Sequence, residues 1–204
     1  MGTKKGGVPY QQVGAKKVIK ECSKALFYYM WRDILDRKKL KFYTVTEEYM
    51  IYLKKYDEKV MDNRGIKNKR PYIGVLFEID RKKYLAPLSS PKPKHLKLKK
   101  SVDFFAIDEG ILGGINLNNM FPVKEGVFKE KDIEKELDEK YKFLLKKQLT
   151  WCNIEENREK IIKKAEKLYS IITTQREKSK LWNRCCDFSL LEEKAIEFIL
   201  LERE

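Results

Sequence analysis

Tyr72-Ile-Gly-Val-Leu-Phe-Glu-Ile-Asp-Arg-Lys-Lys-Tyr-Leu-Ala-Pro-Leu-Ser-Ser-Pro-Lys92 is the stretch on which the fold turns. Tyr72 to Ile79 is an apolar run suited to a central strand. Asp80-Arg81 interrupts it as a turn, and Lys83 to Leu88 returns as a second strand, so the pair reads as a β-hairpin. Pro91 and Pro93 then stop any strand, because proline donates nothing to a ladder. Upstream, Lys41-Phe-Tyr-Thr-Val-Thr46 is β-branched and aromatic, the composition of another strand. Thr46 is placed to cap a helix whose first turn holds Glu47 and Glu48, with Tyr49, Tyr52, Leu53 and Tyr56 on one face. Met61 to Arg70 reads as a polar loop around Gly65. Ser101 to Ile107 and Gly113 to Val123 are further strand candidates. Residues 131–149 and 154–172 read as two charged amphipathic helices. A last helix starts at Ser189, with Glu192 three residues on as a capping box and a buried stripe of Leu190, Leu191, Ala195, Phe198 and Ile199. Strands first and helices later give an α+β class: an antiparallel sheet packed against helices. No internal repeat is present.

The chain has 204 residues, the size of one ordinary domain, and 42% apolar residues suffice for a core. Its longest apolar run, Ala25 to Trp31, is far short of the roughly 20 residues a membrane helix needs. No secretory signal pattern follows the first lysines. Cys22, Cys152, Cys185 and Cys186 show no C-x-x-C spacing, which suits a reducing cytoplasm and core cysteines.

The net charge is +14, a balance that suggests a polyanionic partner. Half of the excess lies in residues 1–39, where Ala25 to Leu35 has the look of a short helix. Within 40–204, the window Arg81 to Lys100 holds eight basic residues and no acidic one. Positive charge concentrated beside a Ser-Ser-Pro turn fits a phosphate site; a solvated lysine-rich loop is the bland alternative.

One histidine, His95, leaves no His/Cys metal cluster and no two-histidine nuclease. P-loop and G-x-S-x-G patterns are absent. What remains is a site of hydroxyls and cations, with no metal and no cofactor. Ser89, Ser90 and Lys92 offer two hydroxyls and an ammonium on one corner, and Pro91 limits its freedom. RNA carries its own nucleophile in the 2′-OH, so positioning and electrostatics supply much of the rate. Lys94 and His95 are placed to contact phosphate or flanking nucleotides. Tyr49, Tyr52 and Tyr56 suit either the core or base stacking.

These residues resemble the ToxN/AbiQ family of type III toxin–antitoxin endoribonucleases. The resemblance runs through Lys41-Phe-Tyr-Thr-Val-Thr46, Tyr49, Tyr52-Leu53, the hairpin with Ser89-Ser-Pro-Lys92 and His95, Gly114-Ile-Asn-Leu117 with Met120 and Pro122-Val123, and Cys186-Asp-Phe-Ser-Leu-Leu-Glu-Glu-Lys194. It covers nearly all of 40–204. It implies a compact, strongly twisted antiparallel sheet related to the Kid/MazF toxins, flanked by helices. It implies metal-independent, sequence-selective cleavage of single-stranded RNA to 2′,3′-cyclic phosphate and 5′-OH ends. The implied partners are a pseudoknot RNA antitoxin cut from tandem repeats, cellular or phage RNA substrates, and a closed toxin–RNA hetero-oligomer in abortive infection. By the same resemblance Ser89, Ser90 and Lys92 line the scissile phosphate, Tyr49 and Tyr72 lie near RNA, and Lys59 and Lys94 follow its backbone. Family members begin at the equivalent of Leu40, so residues 1–39 read as an extension, either translated leader or an added helix. Two other functional readings stay open at this point: a non-catalytic RNA-binding protein with the same groove, and a basic protein–protein module.

Overall fold

A computed structural model describes residues 39–61, 73–98, 100–175 and 179–201. The expected helix at 25–35, Cys22, Tyr72 and nearly all of the expected 61–70 loop lie outside those residues. The elements are β1 (Phe42–Val45), α1 (Glu47–Tyr56), β2 (Ile73–Ile79), β3 (Lys82–Ser89), β4 (Phe105–Ala106), β5 (Gly114–Ile115), β6 (Phe121–Pro122), β7 (Phe128–Glu130), α2 (Glu139–Cys152), α3 (Glu155–Thr174) and α4 (Phe188–Leu201). All strand pairs are antiparallel, in the order β4-β5-β3-β2-β1-β7, and β6 also pairs with β3. The architecture is α+β, as the order of strands and helices implies.

The expected hairpin is the axis of the sheet. Asp80 and Arg81 turn it with φ of 50° and 61°, the left-handed pair that matches the twist of the flanking strands. From there β3 pairs with β2 between Lys82 and Pro87. At Leu88 and Ser89 it pairs instead with β5. Pro87 stands at this handover. It has no N–H to give, and its carbonyl accepts from Asn116 N at 2.8 Å. Gly74 faces Pro87 in the register; a Cβ there would overlap the Leu85 side chain, so the close approach requires glycine.

The helices cover the sheet. α1 packs on α4 through Tyr49 and Tyr52, whose rings stand 5.1 and 5.0 Å from that of Phe198. Tyr84 of β3 meets Phe188 of α4 at 5.8 Å and Tyr169 of α3 at 5.4 Å. Glu192 of α4 is the polar hub beneath them. It accepts from Tyr84 Oη at 2.5 Å, Tyr169 Oη at 2.9 Å and Lys82 Nζ at 2.5 Å. Cys152, Cys185 and Cys186 are buried and free, and burial raises each thiol above its ordinary value.

Several expected boundaries move. Ser101–Ile107 contributes only β4, and Gly113–Val123 splits into β5 and β6 around a 3-10 turn at Leu117–Asn119. The helix expected from 131 starts at Glu139. Lys131 N is committed to the Phe42 carbonyl at 2.8 Å, which extends the β1–β7 pairing, and Lys131 Nζ pairs with Glu136 at 2.8 Å. Asp138 then caps α2 by accepting from Tyr141 N at 3.0 Å. Thr46 occupies the α1 cap position without a side-chain bond. α4 begins before Ser189: Asp187 Oδ1 accepts from Leu190 N at 3.1 Å, and Glu192 cannot close a capping box because β3 and α3 hold its carboxylate. Leu191, Ala195 and Phe198 are buried as expected, joined by Phe188, while Leu190 is half-buried. The side chain of Ile199 lies outside the described residues.

Candidate active site at the end of β3

The corner is built from behind. Ser89 pairs with Gly114, and Gly113, at φ 93°, lies flat against the Ser89-Ser90-Pro91 backbone. A Cβ on Gly113 would overlap the Ser89 carbonyl oxygen and stand 3.0 Å from the Ser90 carbonyl carbon and 3.1 Å from Pro91 N. Position 113 therefore needs glycine for its φ and for its space. In front, Lys92 is extended, and Pro93 opens a 3-10 turn over Pro93–Lys97. His95 N donates to the Lys92 carbonyl at 2.9 Å and closes that turn. Two prolines, one turn hydrogen bond and one tight backbone contact thus hold the corner.

Ser89 is half-buried; Ser90, Pro91, Lys92 and Lys94 are exposed. Ser89 Oγ lies 3.5 Å from His95 Nε2 and 3.4 Å from the Ser90 carbonyl oxygen. His95 is 1% exposed, with its ring 4.8 Å from that of Phe104. Burial, then the positive Lys92 and Lys94, hold its imidazole below the ordinary histidine value. Among the described residues Lys92, Lys94 and Lys97 form no ion pair, and no group of three His, Cys, Asp or Glu side chains gathers as a metal site.

The expected site residues do not all meet here. The structure brings Ser89, Ser90, Lys92, Lys94 and His95 together. His95 stands behind Ser89 in the packed interior, so its side chain does not reach the surface. Tyr49 is fully buried and donates from its hydroxyl to the Pro122 carbonyl at 2.7 Å. It joins α1 to β6, so it cannot stack a base. Lys59 Nζ lies 3.9 Å from Asp57 and 5.5 Å from the Trp182 ring, and its carbonyl accepts from Asn119 Nδ2 at 2.7 Å. None of these contacts reaches the corner. Tyr72 lies outside the described residues. Sequence reasoning missed Gly113, Phe104 and Gly110, which seat the corner from behind; the adjacent glycines Gly113-Gly114 were the visible signal.

A cavity of about 520 Å³ lies at the opposite end of β3, lined by Arg81, Lys82, Val123, Lys124, Glu192 and Ile196 among others. Its cations share the wall with carboxylates, whereas among the described residues none pairs with the lysines of the Ser89 corner.

Two hydroxyls beside lysines that form no ion pair among the described residues, on a corner of an antiparallel sheet, give a protein of the α+β class a surface chemically suited to phosphate. Comparison with known proteins narrows that class. The family described as "Toxin ToxN, type III toxin-antitoxin system" matches residues 41–196, and the chain belongs to it. Endoribonuclease ToxN of Bacillus thuringiensis subsp. kurstaki is 38% identical over 164 residues, covering 78% of this chain and 84% of the relative. Two solved structures superpose with a TM-score of 0.65. One, a type III toxin selectively inhibited by a non-coding RNA pseudoknot, is 38% identical and covers 79% of this chain and 98% of its own. The other, AbiQ, a lactococcal anti-phage endoribonuclease of the type III toxin–antitoxin class, is 25% identical with the same coverages.

Proposed function

We propose that this chain is the endoribonuclease toxin of a type III toxin–antitoxin system and cuts single-stranded RNA at the Ser89 corner. The observation that carries the proposal is the local one: Ser89, Ser90 and Lys92 are held together on a preorganised turn, and among the described residues no carboxylate neutralises the lysine. A phosphodiester laid across the turn receives hydroxyl hydrogen bonds from the serines and positive charge from Lys92. Both interactions strengthen as charge builds on the non-bridging oxygens of the phosphorane, so they favour the transition state over the ground state. The nucleophile is the substrate's own 2′-oxygen. Its bond to phosphorus forms as the bond from phosphorus to the 5′-oxygen breaks. The 2′-hydroxyl gives up a proton and the 5′-oxygen takes one up. The products are a 2′,3′-cyclic phosphate and a 5′-hydroxyl, and the balance needs no co-reactant and no metal.

Lys94 and Lys97 follow the strand on the next turn, where unpaired lysines attract a backbone and release its counterions. A folded RNA with a complementary backbone competes for that surface. The pseudoknot that inhibits the solved relative is the model for this chain's antitoxin, with toxin and RNA closing into a hetero-oligomer. Cellular or phage transcripts are the substrates.

The test uses the purified chain and a short single-stranded RNA in EDTA. Cleavage to cyclic-phosphate ends is expected, with a loss on the order of 10²–10³-fold in Ser89→Ala or Lys92→Ala. An RNA that is 2′-deoxy at the cut site stays intact. Equal cutting of that deoxy substrate, or full activity of both variants, overturns the assignment.

A further inference from the structure

His95 is the chain's one histidine, and the fold goes to some length to seat it. The facing 3-10 turn carries Asp108, Glu109 and Gly110, all with positive φ at 47°, 54° and 96°. Two of the three are not glycine, and the left-handed region is unfavourable for such residues. This turn lays Gly110 flat on the histidine: a Cβ there would stand 3.1 Å from the His95 carbonyl carbon and 3.2 Å from its Cβ. Phe104 closes the ring face. An aliphatic side chain would fill the same seat without burying a polar atom, yet here Nδ1 is buried with no hydrogen-bond partner.

The unpartnered Nδ1 points to the nitrogen that carries the proton. A serine hydroxyl has one proton and two lone pairs. The Ser89 proton can turn to the Ser90 carbonyl, 3.4 Å away. In that orientation Ser89 offers His95 Nε2, at 3.5 Å, a lone pair, which suits Nε2 as the donor. Nδ1 keeps a bare lone pair. The opposite tautomer would bury an N–H without an acceptor, the rarer and costlier orphan.

We propose that His95 is a positioning residue, locked as the neutral Nε2–H tautomer, whose N–H engages the inner lone pair of Ser89 and so aims the Ser89 hydroxyl proton outward at the substrate phosphate. The aim toward phosphate rests on the reading under Proposed function; the tautomer does not. When a phosphate arrives, the Ser89 proton turns from the Ser90 carbonyl to a non-bridging oxygen, while the contact to Nε2 is kept and tightens. No covalent bond changes and no proton crosses between His95 and Ser89. Protonating the ring would place a second N–H at the dry Nδ1. It would also add a charge beside Lys92 and Lys94, which share its segment. Ser89, Phe104 and Gly110, its neighbours from other elements, bring no charge, and Asp108 and Glu109 flank Gly110 without contacting Nδ1. Burial and the two lysines accordingly hold the ring below the ordinary histidine value.

A single histidine makes the test direct. A long-range ¹H–¹⁵N spectrum of the ¹⁵N-labelled full chain reads the tautomer with no assignment step. The Nε2–H pattern is expected at neutral pH and should persist on acidification past the ordinary histidine pKa of about 6.5. An Nδ1–H pattern, or an imidazolium at neutral pH, overturns the proposal whether or not the chain cuts RNA. The second arm is kinetic. His95→Phe fills the seat without an N–H and should lower kcat by roughly 10–100-fold with KM within about twofold. His95→Gln, whose amide can donate in place of Nε2–H, should restore part of that loss. In a Ser89→Ala background His95→Phe should cost nothing further. Independent, multiplicative losses, or a Gln variant no better than Phe, would make His95 merely structural. If the wild type cuts no RNA at all, the functional reading fails while the spectrum still decides the tautomer.

Discussion

At the hairpin end of β3, Lys82 meets Glu192 at 2.5 Å and Lys83 pairs with Glu125. At the other end, about 23 Å away at roughly 3.3 Å per residue, Lys92 and Lys94 stand exposed with no carboxylate partner among the described residues. All four lysines belong to one basic window, yet the structure uses them differently. The first pair is spent on closing the structure: Glu192 draws Lys82, Tyr84 and Tyr169 onto α4. The second pair is left to the solvent, beside hydroxyls that the fold immobilises. Net charge attracts a polyanion; charge without an internal partner is what the polyanion meets. By the same reasoning the cavity of about 520 Å³ beside Lys82 is expected to be the poorer phosphate site despite its three lysines and one arginine, because Glu125, Glu192 and Glu193 share its wall.

The contrast breaks most severely if the corner loses its backing. Gly113→Ala forces a Cβ into the Ser89 carbonyl at a φ of 93°. A loss of about 2–4 kcal/mol in stability is expected, measured by urea denaturation, and RNA cleavage should fall with it because Ser89 and Ser90 are displaced. Wild-type stability in this variant would show that the corner is not held from behind. A somewhat smaller effect belongs to the hairpin end. Glu192→Ala leaves the buried Tyr84 hydroxyl and the Lys82 ammonium without their acceptor. It should cost about 2–3 kcal/mol while the cleavage rate per folded molecule stays unchanged. A variant that keeps its stability but loses cleavage would place the two ends of β3 in one functional unit and erase the distinction.

The two ends were unequally legible in the sequence. The hairpin is written in local terms: an apolar run, the Asp80-Arg81 turn and a returning strand, stopped by Pro91. Ser89, Ser90 and Lys92 could be singled out because their chemistry is local too. His95 could not be placed correctly, because its burial depends on Phe104 and Gly110, which reach it only through the fold. The surroundings of Tyr49 and Lys59 were hidden for the same reason: the Pro122 carbonyl and Trp182 ring that they contact lie far along the chain. The Ser189–Glu192 spacing imitates a capping box, but Glu192 is taken by tyrosines on β3 and α3, and Asp187 does the capping. β4 to β7 are two or three residues long, too short for any periodicity to show. Their pairing makes them strands: β5 and β6 with β3, β7 with β1, and β4 with β5.

The smallest expected effects sharpen the comparison best, because they separate charge from structure. Lys83→Ala removes half of an exposed pair whose side chains are 41% and 76% accessible, and Lys92→Ala removes a lysine with no ion pair among the described residues. Neither should move stability by more than about 0.5 kcal/mol. Their effects on RNA binding should diverge. Each lysine that contacts phosphate on a single strand contributes about 0.7 to the slope of log affinity against log salt. Lys92→Ala should flatten that slope by about this amount in a binding titration on a 2′-deoxy, uncleavable strand, and Lys83→Ala should leave it unchanged. Lys83 is already neutralised by Glu125 in the free protein, so RNA gains no counterion release by meeting it. If the two variants flatten the slope equally, the RNA path runs along the whole of β3, and charge at the hairpin end is as available as charge at the corner.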